Sequence, residues 1–460
     1  NVISGNGVSG IQVFGASNET TIQGNFIGTD SSGFNPRGNG SHGIFVNNSA
    51  NNLIGGATPT ARNVISANSN TSRPNEVSVG VHLFGDGASN NRVMGNYIGT
   101  DVSGSRDLGN TVGVFVNNAP NNPITGNVIS GNDDVGVHIL GVGAKNIVVQ
   151  GNLIGLNAAG DGTLFVASAG FSSKATVDQL QGTGVLIENT PGQLVGGSDA
   201  ASRNVISGNR VGVQVAGAVS EFNRIFGNWV GLDASGSRGI GNSQIGIYVN
   251  NAPRNEIRGN VVAATGVSGI QLYQTGSTGN QVVGNQIGMD ASGTNALPNQ
   301  HGIAVIGASG NFLGKTGQGN RIAGNASTGI YITRRDFDGK VYAITQSNKV
   351  EGNTLGLNVR GKVLGNGSFA ILRYNAPFNE IVLRGPGRNI IRTARREVDI
   401  RDFVPPFEPG RGTTPRIRQP RARQPVRAAN VVAPLAAASA VATPSIPQFR
   451  RASTNATRKG

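Results

Sequence analysis

The chain has 460 residues and a formal net charge of +14, and its composition already excludes several classes of protein. It contains no cysteine, so neither a disulfide framework nor a thiolate metal site can form. No uninterrupted apolar run approaches the roughly 20 residues that a membrane-spanning helix requires.

A four-residue phrase, glycine-aliphatic-variable-aliphatic, recurs from Gly10-Ile11-Gln12-Val13 to Gly329-Ile330-Tyr331-Ile332. Alternating apolar and variable positions are typical of a strand with one buried face. Each copy is too short to be stable alone, so the copies must stack on one another. The sequence therefore predicts one all-β domain over residues 1–393, a parallel β-helix solenoid of about 11–12 coils.

A second phrase, Asn-x-aliphatic-x-Gly-Asn, separates these strands, as in Asn91–Asn96 and Asn223–Asn228. Asparagine tolerates left-handed backbone and bonds neighbouring turns through its amide, so we expect turns whose amides form a ladder from coil to coil. The chain begins in mid-repeat at Asn1-Val2-Ile3, and we expect the solenoid to begin before this residue in the whole protein.

Longer loops leave the solenoid once in every unit of about sixty residues. They open on Ile-Gly-Thr-Asp or a variant of it, and the residue at the aspartate position is Asp30, Asp101, Asn157, Asp233, Asp290 or Asn358. Two coils separate successive copies, too far for neighbouring carboxylates to share a calcium ion at ligand distances of about 2.3–2.6 Å. We expect each aspartate to cap its own loop as an Asx turn, and we predict no metal site and no cofactor.

The composition changes after about Thr393, where prolines alternate with arginines. From Ile391 to the end, fourteen Lys and Arg face four Asp and Glu, a local charge of +10 that leaves +4 for the rest of the chain. Residues 394–460 are predicted to form a basic, extended, disordered tail. Such a tail could contact an anionic surface, or it could be a solvated linker; no nucleic-acid recognition module accompanies the arginines.

The phrases Asn-Val-Ile-Ser-Gly-Asn at Asn1, Gly-Asn-x-Ile-Gly-Thr-Asp ending at Asp101 and Gly-Ile-x-Val at Gly43 resemble the right-handed parallel β-helix repeat family. Members of this family share the pectin-lyase-like fold, and the resemblance covers roughly residues 1 to 393. It implies a right-handed solenoid, export to the cell surface or the medium, and contact with carbohydrate. The family includes lyases, hydrolases, epimerases and adhesins, so the resemblance does not fix a reaction.

The variable residues of the repeated strands are predicted to form one column on the outside of the solenoid. In chain order the column is Gln12, Phe45, His82, Phe115, His138, Leu186, Gln214, Tyr248, Gln271, Ala304 and Tyr331. Rings can stack on sugar C–H faces while Gln and His supply hydrogen bonds. The predicted polysaccharide-binding residues are Phe45, His82, Phe115, Gln214, Tyr248, Gln271 and Tyr331. The alternative is that the rings pack across the strands and stabilise the sheet.

A candidate catalytic patch lies in the middle of the chain, where Asp133 and Asp134 precede the strand that carries His138. Paired carboxylates beside a histidine could perform acid–base work on a glycosidic bond. The loop at residues 157–183 is longer than its counterparts and is a candidate lid. Asn132-Asp133-Asp134 is similar to the aspartate pair of polygalacturonases, but the chain lacks that family's downstream Arg-Ile-Lys phrase.

The sequence therefore predicts a secreted or cell-surface β-helix that binds a polysaccharide or a cell-surface glycan, or that serves as an adhesive spacer without catalysis. One alternative is a lyase, hydrolase or epimerase acting on an acidic polysaccharide through Asp133, Asp134 and His138. Another is a purely structural solenoid. Convergence of Asp133, Asp134, His138 and His82 in one cleft under the 157–183 loop would favour the enzyme.

Overall fold

The computed structural model describes residues 1–15, 17–68, 77–164, 181–342, 345–392 and 400–403. Their backbone winds through three parallel sheets, and each complete coil adds one strand to each sheet. The predicted all-β solenoid is confirmed. Among the described residues the one helical element is a 3-10 turn at Pro59–Ala61. The described part of the chain therefore has no helix long and apolar enough to cross a bilayer. Residues 165–180 of the predicted lid and residues 394–399 and 404–460 of the predicted tail lie outside the described part.

The three sheets are called A, B and C here, and their strands are numbered in chain order. Sheet A consists of β1 (Val2–Ile3), β4 (Phe26–Ile27), β7 (Val64–Ile65), β10 (Tyr97–Ile98), β13 (Val128–Ile129), β16 (Leu153–Ile154), β19 (Val205–Ile206), β22 (Trp229–Val230), β25 (Val261–Val262), β28 (Gln286–Ile287), β31 (Arg321–Ile322), β34 (Thr354–Leu355) and β37 (Ile390–Ile391). Sheet B consists of β2 (Ile11–Phe14), β5 (His42–Asn47), β8 (Val79–Phe84), β11 (Val112–Asn117), β14 (Val135–Leu140), β17 (Gln181–Glu188), β20 (Asn209–Ala216), β23 (Ile245–Asn250), β26 (Ser268–Tyr273), β29 (His301–Ile306), β32 (Thr328–Thr333), β35 (Phe369–Tyr374) and β38 (Ile400–Phe403). Sheet C consists of β3 (Thr21–Ile22), β6 (Leu53–Gly55), β9 (Arg92–Met94), β12 (Pro123–Thr125), β15 (Val148–Gln150), β18 (Leu194–Gly196), β21 (Arg224–Phe226), β24 (Glu256–Arg258), β27 (Gln281–Val283), β30 (Phe312–Leu313), β33 (Lys349–Val350) and β36 (Glu380–Ile381).

The solenoid is slightly longer than the sequence pattern predicts. Sheets A and B have 13 strands each among the described residues, against the expected coil count of about 11–12. The glycine-aliphatic phrase does not mark two strands of sheet B. Strand β35 carries Ala370 where the other repeats have glycine, and β38 pairs with β35 beyond the predicted domain boundary at residue 393.

The core fills the tube between the sheets with one aliphatic layer per coil. On sheet B, Ile44 pairs with Val81 and Val46 with Leu83, and all four side chains are fully buried. This close stacking explains the glycine that precedes the pair in nearly every repeat. A Cβ at Gly80 would lie 2.6 Å from the carbonyl oxygen of the next coil and 2.9 Å from a core methyl group. The repeated glycine therefore reflects a steric limit inside the tube.

Three ladders of buried amides mark the corners between the sheets, and the predicted amide ladder is confirmed. At one step, the side-chain Nδ2 and the backbone N of Asn96 both donate to Oδ1 of Asn127, at 3.1 and 2.9 Å. The same amide also donates to the carbonyl of Ile54 in the preceding coil. Each rung thus satisfies backbone groups that a turn would otherwise leave buried without a partner.

The ladders run along almost the whole solenoid, with a few non-asparagine rungs. The corner between sheets C and A has Asn25, Asn63, Asn96, Asn127, Asn152, Asn204, Asn228, Asn260, Asn285, Asn320, Asn353 and Asn389. The corner between sheets B and C includes Gln193, and the corner between sheets A and B includes Gln181 and Thr265. These longer or shorter polar side chains keep the ladder hydrogen bond.

The Asp-headed loops leave at the corner between sheets A and B, after every second strand of sheet A, as the sequence predicts. The carboxylate of Asp101 accepts hydrogen bonds from the hydroxyl of Ser103 and from the backbone N–H groups of Ser105 and Arg106, so it caps its own loop. Successive loops also touch, because the N–H of Val102 donates to the carbonyl of Gly33 in the loop before it, at 3.0 Å. The expected Asx turns are confirmed.

Candidate functional site

The outer face of sheet B carries the predicted column in register. Phe45 pairs with His82, His82 with Phe115, and Phe115 with His138 on successive strands. The pairing continues without a slip through Gln214 to Tyr331, on the side of the sheet opposite the aliphatic core. A shift of one residue in the pairing of a strand would turn its column side chain into the tube. Because the repeat fixes this pairing, it also determines which face the column residues occupy.

The middle of the column is buried, because its rings stack on one another. The ring centroids of His82 and Phe115 are 4.7 Å apart with planes 18° from parallel, and those of Phe115 and His138 are 4.8 Å apart at 19°. Phe115 is 6% exposed, and Val79 and Val112 pack beside it. The ring faces are therefore occupied by neighbouring rings. In this part of the column the geometry matches cross-strand packing that stabilises the sheet.

His82 is held neutral in this stack. Burial is the main cause that lowers its pKa to about 3, and the neighbouring His42 and His138 lower it further. Its Nδ1 lies 3.4 Å from Nε2 of His42, whereas its own Nε2 is buried without a hydrogen-bonding partner among the described residues. A neutral imidazole with one unpaired nitrogen could donate to a ligand or accept from it, depending on its tautomer.

The three predicted catalytic residues belong to one coil, two of them in the turn before β14 and the third within that strand. Asp133 and Asp134 are exposed in the turn before β14, where their backbone N–H groups donate to the carbonyls of Asn110 and Thr111. His138 lies four residues after Asp134, and its Nε2 is 3.0 Å from Oε2 of Glu188 on the next strand. The imidazole is thus paired with Glu188, a residue that sequence reasoning missed. The pair is a diagonal one, which only the strand register could have indicated.

A further carboxylate lies close to Asp133. Burial raises the pKa of Asp107 to about 6, and the negative charge of Asp133 contributes to the increase. The N–H of Gly109 donates to Oδ1 of Asp107 at 3.0 Å, which partly offsets these effects. Asp107 closes the loop that Asp101 opens, a position with no distinct sequence signal. A carboxyl group with a pKa of about 6 is in the range useful for general acid catalysis.

A second aromatic group occupies the outer face of sheet B near β26. Of its three tyrosines, the sequence pattern predicted only Tyr248. The rings of Tyr248 and Tyr273 are 5.8 Å apart, and those of Tyr273 and Tyr342 are 5.5 Å apart. The hydroxyl of Tyr273 donates to Oδ2 of Asp336 at 2.9 Å. Burial raises the pKa of Tyr248 and Tyr273, so both hydroxyls are protonated at neutral pH. Tyr342 and Asp336 lie after β32, outside any repeat phrase.

His301 and Tyr331 form a stack beside this tyrosine group. Their rings are 5.2 Å apart, and the ring of Phe337 lies near both, 5.7 Å from His301 and 6.2 Å from Tyr331. Burial lowers the pKa of His301 to about 4. On β26, the strand that pairs with that of His301, Ser268 and Gln271 are almost completely buried. Oγ of Ser268 and Oε1 of Gln271 have no hydrogen-bonding partner among the described residues.

The fold defines the class to which the protein belongs: it is a parallel β-helix solenoid built from three parallel sheets, and crossovers between parallel strands are right-handed in almost all proteins. Within it, residues 156–380 match the family described as periplasmic copper-binding protein (NosD). A search of the curated proteins gave no match.

Several solved structures are similar to the chain. A periplasmic alginate epimerase, AlgG, is 12% identical over 84% of this chain and 76% of its own, with a TM-score of 0.37. A mannuronic acid specific polysaccharide family 6 lyase from human gut microbiota is 11% identical over 83% and 78%, with a TM-score of 0.40. PfbA, a surface adhesin of Streptococcus pneumoniae, is 10% identical over 79% and 85%, with a TM-score of 0.35. At such low identities and TM-scores the likenesses carry no argument about function.

The residues present do not fit a copper site. The matched range contains one histidine, His301, and one methionine, Met289, which is fully buried. Copper sites use imidazole, thiolate and thioether ligands grouped around the ion. Within the described part of the chain, no three His, Cys, Asp or Glu side chains lie close enough together to hold a metal ion.

Proposed function

We propose that this protein binds a polysaccharide along the outer face of sheet B, as a non-catalytic adhesive β-helix located outside the cytoplasm. One observation carries the proposal: five buried polar atoms on this face, beside aromatic rings, have no hydrogen-bonding partner among the described residues. They are Nε2 of His82, Oδ1 of Asn250, Oγ of Ser268, Oε1 of Gln271 and Nδ1 of His301.

Unpaired buried polar atoms are rare and costly, and so a cluster of them on one face favours a ligand that pairs them. A sugar has both of the required features, hydroxyl groups that donate and accept, and apolar C–H faces that stack on rings. Successive strands are about 4.8 Å apart, which is comparable to the length of one sugar unit. A polymer lying along sheet B would therefore present equivalent groups to successive coils.

The rings available to a ligand are those outside the central stack. Phe84, at 38% exposed, lies on the outer face beside the column, and Phe45, Tyr248 and Tyr331 within the column are partly exposed. Gln214 and Gln271 supply amides between them. Phe115 is assigned to the stability of the sheet, because both of its faces are covered by histidine rings.

Affinity electrophoresis against a panel of soluble polysaccharides, both neutral and uronate-rich, tests the proposal. The variants are Phe84→Ala and Gln271→Ala on sheet B, and the matched control is Phe312→Ala on sheet C, whose ring is 47% exposed. Each sheet B variant is expected to weaken retention about fivefold, the effect of about 1 kcal/mol, whereas the control leaves it unchanged. If no polymer is retained, or if all three variants match the parent protein, the proposal is wrong.

One observation favours a second candidate, a polysaccharide-cleaving enzyme. Asp107, with a pKa near 6, and the nearby Asp133 form a pair in which one carboxyl group could donate a proton and the other could accept one. Reducing-end and ultraviolet unsaturation assays on uronate-rich polymers separate hydrolase, lyase and inactive binder. Activity that Asp107→Asn abolishes would establish the enzyme in place of the adhesive protein.

A further inference from the structure

A hairpin between Arg334 and Tyr342 crosses the outer face of sheet B and interrupts the column. The two ends of the hairpin are joined by a hydrogen bond from the N–H of Tyr342 to the carbonyl of Arg334 at 2.7 Å, and by an antiparallel bridge between Arg335 and Val341. Its tip, Phe337, reaches His301 near the start of β29. The hairpin thus extends across the sheet rather than along it.

The ring of Tyr342 closes the column at this level. It packs against Ala304 and Ile306 of β29, both of which are completely buried, and Gly307 has no room for a Cβ beneath it. Ala304 is the column residue of its coil. A polymer that follows the column from β2 towards β26 is therefore blocked at β29 by the Arg334–Tyr342 hairpin, which is called the wall below.

The carboxylate of Asp336 anchors the wall to sheet B. Asp336 accepts hydrogen bonds from the hydroxyl of Tyr273 at 2.9 Å, from the hydroxyl of Tyr342 at 3.4 Å and from the N–H of Lys340 at 2.7 Å. Tyr273 belongs to β26, two strands before the strand from which the hairpin leaves. The hairpin is therefore anchored on the far side of the coil that it covers, and hydrogen bonds to a charged acceptor are among the stronger ones in proteins.

Three of the five unpaired polar atoms on this face lie on β26 and β29, the strands that the hairpin crosses. Oγ of Ser268 and Oε1 of Gln271 belong to β26, and Nδ1 of His301 belongs to β29 next to Ser268. Phe337 covers His301 with a side chain that is 51% exposed, so its rotation uncovers the imidazole without breaking a hydrogen bond. Hydrogen-bonding capacity is thus greatest where the open part of the column ends.

We propose that the protein recognises the end of a polysaccharide chain, which abuts the Arg334–Tyr342 hairpin and bonds Ser268, Gln271 and His301. The inference rests on the proposed binding of a polysaccharide by sheet B. A terminal sugar carries one hydroxyl that an internal sugar uses in its glycosidic bond, and this hydroxyl can pair an atom that an internal unit leaves unpaired. An internal segment would also have to continue through the wall, so the same surface that binds an end excludes the middle of the chain.

Chain length separates end recognition from internal binding. The probes are polygalacturonate, polymannuronate and mixed-linkage β-glucan, each used intact and after partial hydrolysis that shortens its chains about tenfold. At equal mass concentration, hydrolysis multiplies the ends and leaves the internal units almost unchanged, so the apparent affinity per gram should rise about tenfold. Equal affinity per gram at both lengths overturns the inference and leaves the proposed function standing. Binding of none of the probes at either length overturns both.

Opening the wall provides the second arm of the test. Tyr342→Ala removes the ring that covers Ala304 and Ile306, and it should abolish the dependence on chain length while binding persists. The control is Phe378→Ala, a 75% exposed ring outside the hairpin, which should keep the tenfold dependence on length. Circular dichroism and thermal unfolding verify that both variants fold. If folded Tyr342→Ala keeps the full dependence on length, the hairpin does not select chain ends.

Discussion

The imidazole of His138 is paired with the carboxylate of Glu188 on the neighbouring strand, with 3.0 Å between Nε2 and Oε2. The two side chains are 7% and 17% exposed, so the pair is shielded from water. Glu188→Ala leaves the buried imidazole without its acceptor and should lower the free energy of unfolding by about 1–3 kcal/mol. Urea denaturation measures the loss.

An exposed ion pair on the same protein is the natural control for Glu188. Glu221 pairs with Arg254, whose side chain is 58% exposed. Because exposed pairs contribute about 0–1 kcal/mol, Glu221→Ala should change the free energy of unfolding by less than Glu188→Ala does. Equal losses in the two variants would mean that the His138–Glu188 contact contributes nothing beyond a surface pair.

The buried imidazole of His82 should make the solenoid sensitive to acid. Its pKa is about 3 in the folded state against 6.5 for an ordinary histidine. Below pH 6.5 the unfolded chain binds a proton that the folded chain does not, so stability falls as the pH decreases from 6.5 towards 3. His82→Phe removes this proton and keeps a ring between Phe45 and Phe115. Thermal unfolding between pH 3 and 7 should then show a smaller loss for the variant, and an unchanged profile would contradict the assignment.

Asp107 should contribute a pH dependence of the opposite sign. Its pKa is raised from 3.8 to about 6, so the folded chain binds a proton more tightly than the unfolded chain. The favourable contribution is present below pH 3.8 and is lost as the pH rises through 6, by no more than about 3 kcal/mol. Asp107→Asn retains an oxygen for the N–H of Gly109 and carries no charge, so it should be more stable than the parent at pH 7 and equally stable at pH 3. Chemical denaturation at the two pH values measures the difference, and equal stability at both would contradict the raised pKa.

The repeat predicts the fold well because each phrase fixes one physical requirement of a coil. The aliphatic pair of Ile44 and Val46 requires a core face, and the glycine before it requires room for the next carbonyl group. These requirements together determine the register of sheet B, and with it the placement of the whole outer column. Strand β35 was missed because the pattern demanded glycine, whereas Ala370 fits at that position fully buried.

The candidate site was only partly predictable, because its chemistry depends on contacts outside the repeat. The outward direction of Phe115 follows from alternation, but its burial follows from stacking between two histidine rings. Asp336 lies in the Arg334–Tyr342 hairpin, outside any repeat phrase, and no periodic signal connects it to Tyr273, 63 residues earlier. Repetition therefore predicts the scaffold, and the irregular segments hold the groups that a repeat pattern cannot place.

The amide ladders should be the most sensitive part of the scaffold to substitution. Oδ1 of Asn228 accepts the backbone N–H and the side-chain amide of Asn204, while its own amide donates to Asn260 and to the carbonyl of Val195. Asn228→Ala leaves several of these fully buried groups unpaired at once, so we expect a loss of about 3–5 kcal/mol in the free energy of unfolding. Gln300→Ala, at an exposed position just before β29, is the control and should cost less than about 0.5 kcal/mol. Denaturant titration gives both values, and hydrogen exchange should show that the loss of protection is greatest at the rungs on either side of residue 228. In a stack of repeats that are coupled only to their neighbours, a defect in one rung weakens the adjacent interfaces first. A uniform loss of protection along the solenoid would instead indicate that the coils unfold as one unit.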